Sequence, residues 1–269
     1  MAEHFNHYPL KHFAGIVADC MGIPLTDSFA PGIGWISDIL KTRLGGTADR
    51  AVLYHADAVG QYIWQQYTDL FAPVYAHTAM AIPFLSTVES VTPVAHASMY
   101  TGLDPAGHGI QTYVRPQLTC ATLYDILLGM GKKPAIVAQT DSTFLHIFSG
   151  RSMPYYECAN AVEIQEKALE LIASDEFDLI SIHTFEYDNA AHAYGPESRE
   201  ALNAVAMEAE GCHRLAEAME AYAGLHRTLL SYSPDHGQHP IPGGRGAHGS
   251  KTNEDMNILH FFGTTGRAG

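Results

Sequence analysis

The sequence predicts an α/β fold: a mostly parallel central sheet with helices on both faces. Three observations predict it. Short apolar runs alternate with longer helical patterns, the arrangement that buries parallel strands between two helical layers. The chain has 269 residues, of which 46% are hydrophobic and 16% charged, a balance that excludes disorder and coiled coil. Acidic residues stand just past the ends of several apolar runs, where open parallel sheets bind their ligands. A chain of this length buries about 70–75% of its unfolded surface, so it needs neither disulfide nor metal merely to fold. With no internal repeat and no clear linker, a single domain over residues 1–269 is expected.

The elements follow in order. Ala51–Ala56, Pro134–Ala138, Asp178–Thr184, Arg227–Tyr232 and Asn257–Phe262 read as buried strands. Helices are expected over Val59–Phe71, Thr122–Met130, Ala161–Ala173 and Glu197–Tyr222. In Ala161–Ala173 the apolar residues fall at 162, 164, 168, 169, 171 and 172, one face of a helix. Thr92 followed by Pro93 reads as an N-cap with proline in the first turn, opening a helix that runs to about Tyr100. Pro240–Gly249 (PIPGGRGAHG) reads as a loop, of a length that invites a functional role.

Charge and cysteine usage narrow the function. The formal net charge is −14 and no basic run occurs, which argues against nucleic-acid and anionic-membrane partners, since both need a positive footprint. The longest stretch without Asp, Glu, Lys or Arg, Leu70 to Val88, contains Pro73, His77 and Pro83, so no membrane helix is expected there. The N-terminus lacks a basic region followed by an apolar core, and no signal peptide is read. Cys20, Cys120, Cys158 and Cys212 lie far apart, which suits free thiols and a cytoplasmic location. The 16 histidines outnumber the 15 Lys and Arg, and imidazole is the commonest metal ligand.

The chemistry gathers at the strand ends. Asp57 follows the first strand, Asp188 follows the third, and Asp235-His236 follow the fourth. Converging carboxylates repel one another unless a cation holds them. Asp188 and His192 are spaced i, i+4, which puts both on one helix face, able to chelate one ion. His248 lies in the glycine-rich loop, flexible enough to swing back. About seven N/O donors are too many for one tetrahedral ion and suit two. Thr92 adds a hydroxyl beside the positive end of a helix, a good place to hold an oxyanion. His96 is expected to pack behind that helix, His239 is a spare near the site, and the remaining histidines, His55, His183 and His260 among them, read as surface or packed core residues.

In this order the segments resemble the alkaline phosphatase superfamily, in particular its type I phosphodiesterase/nucleotide pyrophosphatase branch and small bacterial relatives. Thr92-Pro-Val-Ala-His-Ala-Ser-Met-Tyr-Thr101-Gly102, with Leu103 to Ile110 behind it, is similar to that branch's nucleophile segment. Asp188-xxx-His192-Ala-Tyr-Gly195-Pro196-Glu-Ser198, Ser233-Pro-Asp235-His236-Gly237 and Gly246-Ala-His248-Gly249 are similar to its three later metal-ligand segments, with Pro234 as an extra residue. The resemblance covers most of the chain from about residue 50. It implies that Asp57, Asp235 and His236 bind one zinc together with the Thr92 oxygen, that Asp188, His192 and His248 bind the other, and that Thr92 is the nucleophile. Manganese or iron would also suit such mixed ligands. Two departures stand out: Asp57-Ala58 replaces the family's frequent Asp-Gly, and Tyr113 stands where the nucleotide branch has an asparagine that helps hold the phosphoryl oxygen. The Tyr113 hydroxyl or the Thr92 backbone N–H would serve instead. The chain ends soon after its last strand, so no large cap domain is expected.

The implied function is a two-metal phosphoryl hydrolase, phosphodiesterase/nucleotide pyrophosphatase-like, acting on a small phosphate ester through a covalent phospho-threonine. A phosphomonoesterase and a phosphonoacetate hydrolase-like enzyme that cleaves a C–P bond share the same core. Cations near the site would favour a dianionic monoester or a carboxylate, with Arg115, Arg151, Arg245 and Lys251 as candidates. The non-enzyme alternative is a relative that kept the ligands and lost turnover. The partner is a small phosphate ester or phosphonate.

Overall fold

The computed structural model describes residues 4–266. Its centre is an eight-stranded sheet. The strands in chain order are β1 (Tyr8–Pro9), β2 (Arg50–Ala56), β3 (Met80–Leu85), β4 (Pro134–Gln139), β5 (Tyr155–Cys158), β6 (Leu179–Thr184), β7 (Thr228–Tyr232), β8 (His239–Ile241), β9 (Arg245–Ala247) and β10 (Asn257–Thr265). The spatial order in the large sheet is β1-β3-β10-β7-β2-β6-β4-β5, and β8 pairs with β9 in a small hairpin. All neighbours in the large sheet are parallel except β10, which runs antiparallel to both β3 and β7.

The inner strands β2, β4, β6 and β7 are buried on both faces, and their alternation divides the core in two. Ala51, Leu53, Ile136, Ala138 and Leu229 face a core shared with helices Phe13–Met21, Gly34–Leu44 and Thr92–Thr101. Val52, Tyr54, Val137, Ile182 and Leu230 face the opposite core with helices Ala161–Ser174 and Arg199–Glu220. Side chains of successive strand residues point to opposite faces, so a near-continuous apolar strand must be covered twice. No helix among the described residues is long and apolar enough to cross a membrane.

Strand order sets the location of the chemistry. β7, β2 and β6 are adjacent and parallel, so their carboxyl ends open on one edge. β3 is antiparallel to β10, and β10 is antiparallel to β7; β3 therefore runs the same way as β7 and ends on that edge too. Asp57, Asp188, Asp235 and Thr92 follow the ends of these four strands.

Several expectations are corrected. Val59–Phe71 is not one helix. Gln61–Gln66 is α-helical, the chain turns at Tyr67 (φ −129, ψ 45), Thr68–Phe71 is 3₁₀, and Ala72–Tyr75 restarts with Pro73 in its first turn. Proline in a helix interior clashes with the carbonyl four residues back, so the segment breaks ahead of it. Pro240–Gly249 is not a plain loop but most of the β8–β9 hairpin, turned by Gly243 (φ 92) and Gly244 (φ 71) in the left-handed region. Thr92 is the first helical residue, not the cap; Val91 (φ −136) holds the cap position.

The Thr92 helix rests on the helix Leu123–Gly129, with Tyr100 stacked on Tyr124 at 4.8 Å. That supporting helix starts with a capping box: the Thr122 side chain accepts from the Asp125 N–H, and Asp125 accepts from the Thr122 N–H. Arg151, 8% exposed at its side chain, also binds Asp125, at 2.9 Å. Thr122→Ala should cost about 1 kcal/mol in urea unfolding. Asp125→Ala should cost more, because it also leaves Arg151 without its carboxylate; equal losses would contradict the shared role.

Candidate metal centre and its surroundings

Two clusters of potential ligands form at the sheet edge. Asp57, Asp235 and His236 offer atoms that all lie within 4.8 Å of one another, and so do Asp188, His192 and His248. His236 and His248 stack at 4.3 Å between ring centroids, so the clusters adjoin. The Thr92 hydroxyl donates to Asp57 Oδ2 at 3.2 Å and stands 3.4 Å from His236 Nε2. All seven residues that the sequence marked are thus brought to one place.

The main chain fixes the face each ring presents. Nδ1 of His192 lies 3.0 Å from the Gly246 carbonyl, Nδ1 of His236 3.1 Å from the Gly237 carbonyl, and Nδ1 of His248 3.1 Å from the Ser90 carbonyl. A carbonyl only accepts, so each Nδ1 carries a proton and donates it. In the neutral ring Nε2 is then a bare lone pair. Those lone pairs face carboxylates: His192 and His248 approach Asp188 Oδ1 at 3.3 and 3.5 Å, and His236 approaches Asp57 Oδ1 and Asp235 Oδ2 at 3.4 Å each. His248 is therefore positioned by the hairpin and Ser90, not carried on a swinging loop.

The carboxylates are oriented in the same manner. Asp235 Oδ1 accepts from the N–H groups of Ala58 and His236, which leaves Oδ2 buried without a hydrogen-bond partner, as is Asp57 Oδ1. Gln238 donates to Asp188 Oδ1 at 2.8 Å. Ala58 has φ 64, the left-handed region that glycine enters freely and alanine at a cost of roughly 1–2 kcal/mol. That turn aims its N–H at Asp235.

Burial raises Asp57 well above the usual carboxylate range, and the neighbouring Asp235 and Asp188 raise it further. Burial pushes Asp235 up to about 7. Burial also acts to raise Asp188, but a protonated His192, donating to it from Nε2, and the positive charge that His248 and His192 carry when protonated outweigh burial and hold Asp188 low. The hydrogen bond to Asp188 raises His192, whereas burial lowers His236 and His248 to about 4. Orphaned carboxylate oxygens facing bare imidazole lone pairs fit divalent cations of the zinc type, which accept both donors.

The sequence places His96 behind the Thr92 helix and reads His183 as a surface or packed core residue; that both stand against the ligand carboxylates is not foreseen there. His183 on β6 and His96 on the Thr92 helix are almost fully buried, and all four of their ring nitrogens lack partners. His183 Nε2 is 3.4 Å from Asp57 Oδ2, and His96 Nε2 is 3.5 Å from Asp235 Oδ2. Behind them His55 binds the Ser233 carbonyl and the Tyr100 hydroxyl, and His260 binds the Pro234 carbonyl. Nothing in the spacing of these histidines marks them; the register of parallel β2 and β6 pairs His55 with His183, and packing of the Thr92 helix and of β10 adds His96 and His260. The spare His239 pairs instead with Asp255 at 2.7 Å.

A cavity of about 300 Å³ opens over Thr92, Asp57, Asp188 and His248. Tyr113, 53% exposed, forms part of its wall. The Tyr113 hydroxyl stands 3.4 Å from Thr143 Oγ1 and accepts from Arg115. Of the four candidate cations, Arg115 lines the cavity. Arg151 is committed to Asp125, Lys251 lies over the Phe5 ring, and Arg245 is exposed on β9.

No family model matches the sequence, and no curated protein matches it. Solved structures do match. An inactive variant of murine ectonucleotide pyrophosphatase/phosphodiesterase 5 in complex with AMP superposes with a TM-score of 0.57 at 14% identity, covering 73% of this chain and 59% of that one. The C-terminal periplasmic domain of EptC from Escherichia coli, in complex with Zn, gives 0.55 at 14% identity, covering 82% and 74%. Phosphonoacetate hydrolase from Sinorhizobium meliloti 1021, in complex with phosphonoformate, gives 0.52 at 15% identity, covering 71% and 57%. The fold is alkaline phosphatase-like. This likeness is one of fold, and the chain spans less than two thirds of the pyrophosphatase/phosphodiesterase and of the phosphonoacetate hydrolase.

Burial lowers His260 to about 3, below its unfolded value near 6.5. A group of this kind stabilises the fold above the unfolded pKa, and the contribution is lost as pH falls toward the folded one. In urea unfolding of the metal-free protein, His260→Leu should therefore cost about 1.4 kcal/mol less at about pH 5.5 than at about pH 7.5. An equal cost at both pH values would contradict the buried neutral state.

Proposed function

We propose that the chain is a metal-dependent phosphoryl hydrolase of the phosphodiesterase/nucleotide pyrophosphatase type, acting on a small phosphate ester with Thr92 as nucleophile. The observation that carries this reading is the Thr92 hydroxyl, free of any capping duty and donating to Asp57 Oδ2 at 3.2 Å beside both ligand clusters. The AMP and phosphonoformate held by two of the structural neighbours, both phosphoryl compounds, are in keeping with it.

In this reading Asp57, Asp235 and His236 hold one divalent ion and Asp188, His192 and His248 hold a second, zinc being the best match to the donors. When bound, the ions supply Lewis-acid charge that offsets the phosphoryl oxygens and lowers the pKa of the nucleophile. The chain's own groups do the rest. Thr92 Oγ1 gives up its proton along the hydrogen bond to Asp57 Oδ2 and attacks phosphorus, and the leaving oxygen departs with the bonding pair. The first turn of the Thr92 helix presents backbone N–H groups to the displaced negative charge. Water then cleaves the phospho-threonine from the opposite side and restores the hydroxyl; splitting one displacement into two is the gain of covalent catalysis. Tyr113 binds substrate from the cavity wall. The −14 net charge does not oppose an anionic substrate, because distant charges are screened beyond about 8–10 Å.

Zinc-loaded protein should hydrolyse a nitrophenyl phosphate ester, and Thr92→Ala should lower kcat by at least about 10³-fold with zinc content unchanged, since the covalent route is then closed. Turnover that survives in Thr92→Ala would remove the nucleophile.

A further inference from the structure

The wall of the Thr92 cavity carries one arginine and no lysine. Arg115 lies in the irregular segment that follows the short helix Pro105–His108. Its Nη1 donates to the Asp141 carbonyl at 3.1 Å and its Nη2 to the Tyr113 hydroxyl at 3.4 Å. Both acceptors are neutral. A guanidinium has five N–H donors in a planar fork, so three remain free. Among the described residues no carboxylate oxygen lies within 4.0 Å of it, that of Asp141 included. Arg115 is thus a tethered cation with no ion-pair partner among the described residues, although Asp141 lines the same cavity.

Its place in the cavity gives that charge a purpose. A second cavity of about 270 Å³ adjoins the first, and Arg115, Asp141 and Ser142 line both. The second cavity continues past Leu145, Tyr155 and Glu157, away from the ligand clusters. A phosphoryl group held against Thr92 is already provided for by the six Asp and His side chains and their ions. Whatever extends from it toward the junction meets Arg115.

We propose that Arg115 forms a subsite for a second anionic group on the substrate, a carboxylate or a second phosphate joined to the reacting phosphoryl by a short linker. The proposal rests on the phosphoryl-hydrolase reading and names its substrate class. Arginine matches planar or tetrahedral oxyanions through paired charge-assisted hydrogen bonds, and Tyr113, hydrogen-bonded to Thr143, holds the guanidinium in place.

The test is calorimetric binding to zinc-loaded Thr92→Ala protein, which reads selectivity without turnover. The ligands are phosphoglycolate, inorganic pyrophosphate and ethyl phosphate. Phosphoglycolate or pyrophosphate should bind at least about tenfold tighter than ethyl phosphate. The larger preference tells a carboxylate from a second phosphate. Adding Arg115→Gln should reduce the preference to within about twofold while leaving ethyl phosphate affinity unchanged, and Arg115→Lys should keep part of it. Equal weakening of all three ligands by Arg115→Gln, which would mean that Arg115 holds the reacting phosphoryl, overturns the proposal. So does a preference that survives the substitution, or binding of none of them. Turnover by the Thr92 protein separates the two readings: selective binding without hydrolysis leaves the subsite standing and removes the hydrolase, whereas hydrolysis of ethyl phosphate and phosphoglycolate that ignores Arg115→Gln does the reverse.

Discussion

Three imidazole lone pairs are aimed at three carboxylates, and the main chain does the aiming. Each of His192, His236 and His248 gives its Nδ1 proton to a backbone carbonyl, so Nε2 is the atom left to meet Asp188, Asp57 and Asp235. A neutral imidazole cannot hydrogen-bond an ionised carboxylate through a bare nitrogen. The arrangement is electrostatically unfavourable unless protons or cations lie between the groups. The raised Asp57 and Asp235 describe the proton solution; paired divalent ions are the other, and only they leave every donor in its unprotonated form.

The fold exists around that demand. Parallel pairing of β7, β2 and β6 puts three acidic strand ends side by side, and β10, by reversing direction between β7 and β3, turns the end of β3 and the Thr92 segment that follows it to the same edge. Helices cover both faces of the central strands, so the residues behind that edge lie in the buried core. His96 and His183 occupy that interior directly behind Asp235 and Asp57. Their nitrogens approach Asp235 Oδ2 and Asp57 Oδ2 at 3.5 and 3.4 Å, close enough to orient those carboxylates, a support found around ligands in many metal sites.

Much of this was legible in the residues. The acidic strand ends, the i, i+4 spacing of Asp188 and His192 and the Asp235-His236 pair are local patterns with a chemical reason, and five of the sheet strands read directly as apolar runs. What escaped detection depends on tertiary placement. β3 contains Pro83, which demotes a strand in any reading of sequence, and is tolerated because only the two-residue β1 covers its outer edge, at Phe84 and Leu85. The hairpin after β7 was masked by its glycines, although a Gly-Gly turn between short extended segments was the signal available. His183 and His96 gained meaning only through strand register and helix packing, and Arg115 only through the cavity that it lines.

Anomalous diffraction at the zinc edge from crystals grown with zinc measures the central claim most directly. Two peaks a few ångströms apart, one bounded by Asp57, Asp235 and His236 with the Thr92 oxygen and the other by Asp188, His192 and His248, are the predicted result. A single peak shared by all six side chains, or zinc found only elsewhere on the protein, would contradict it.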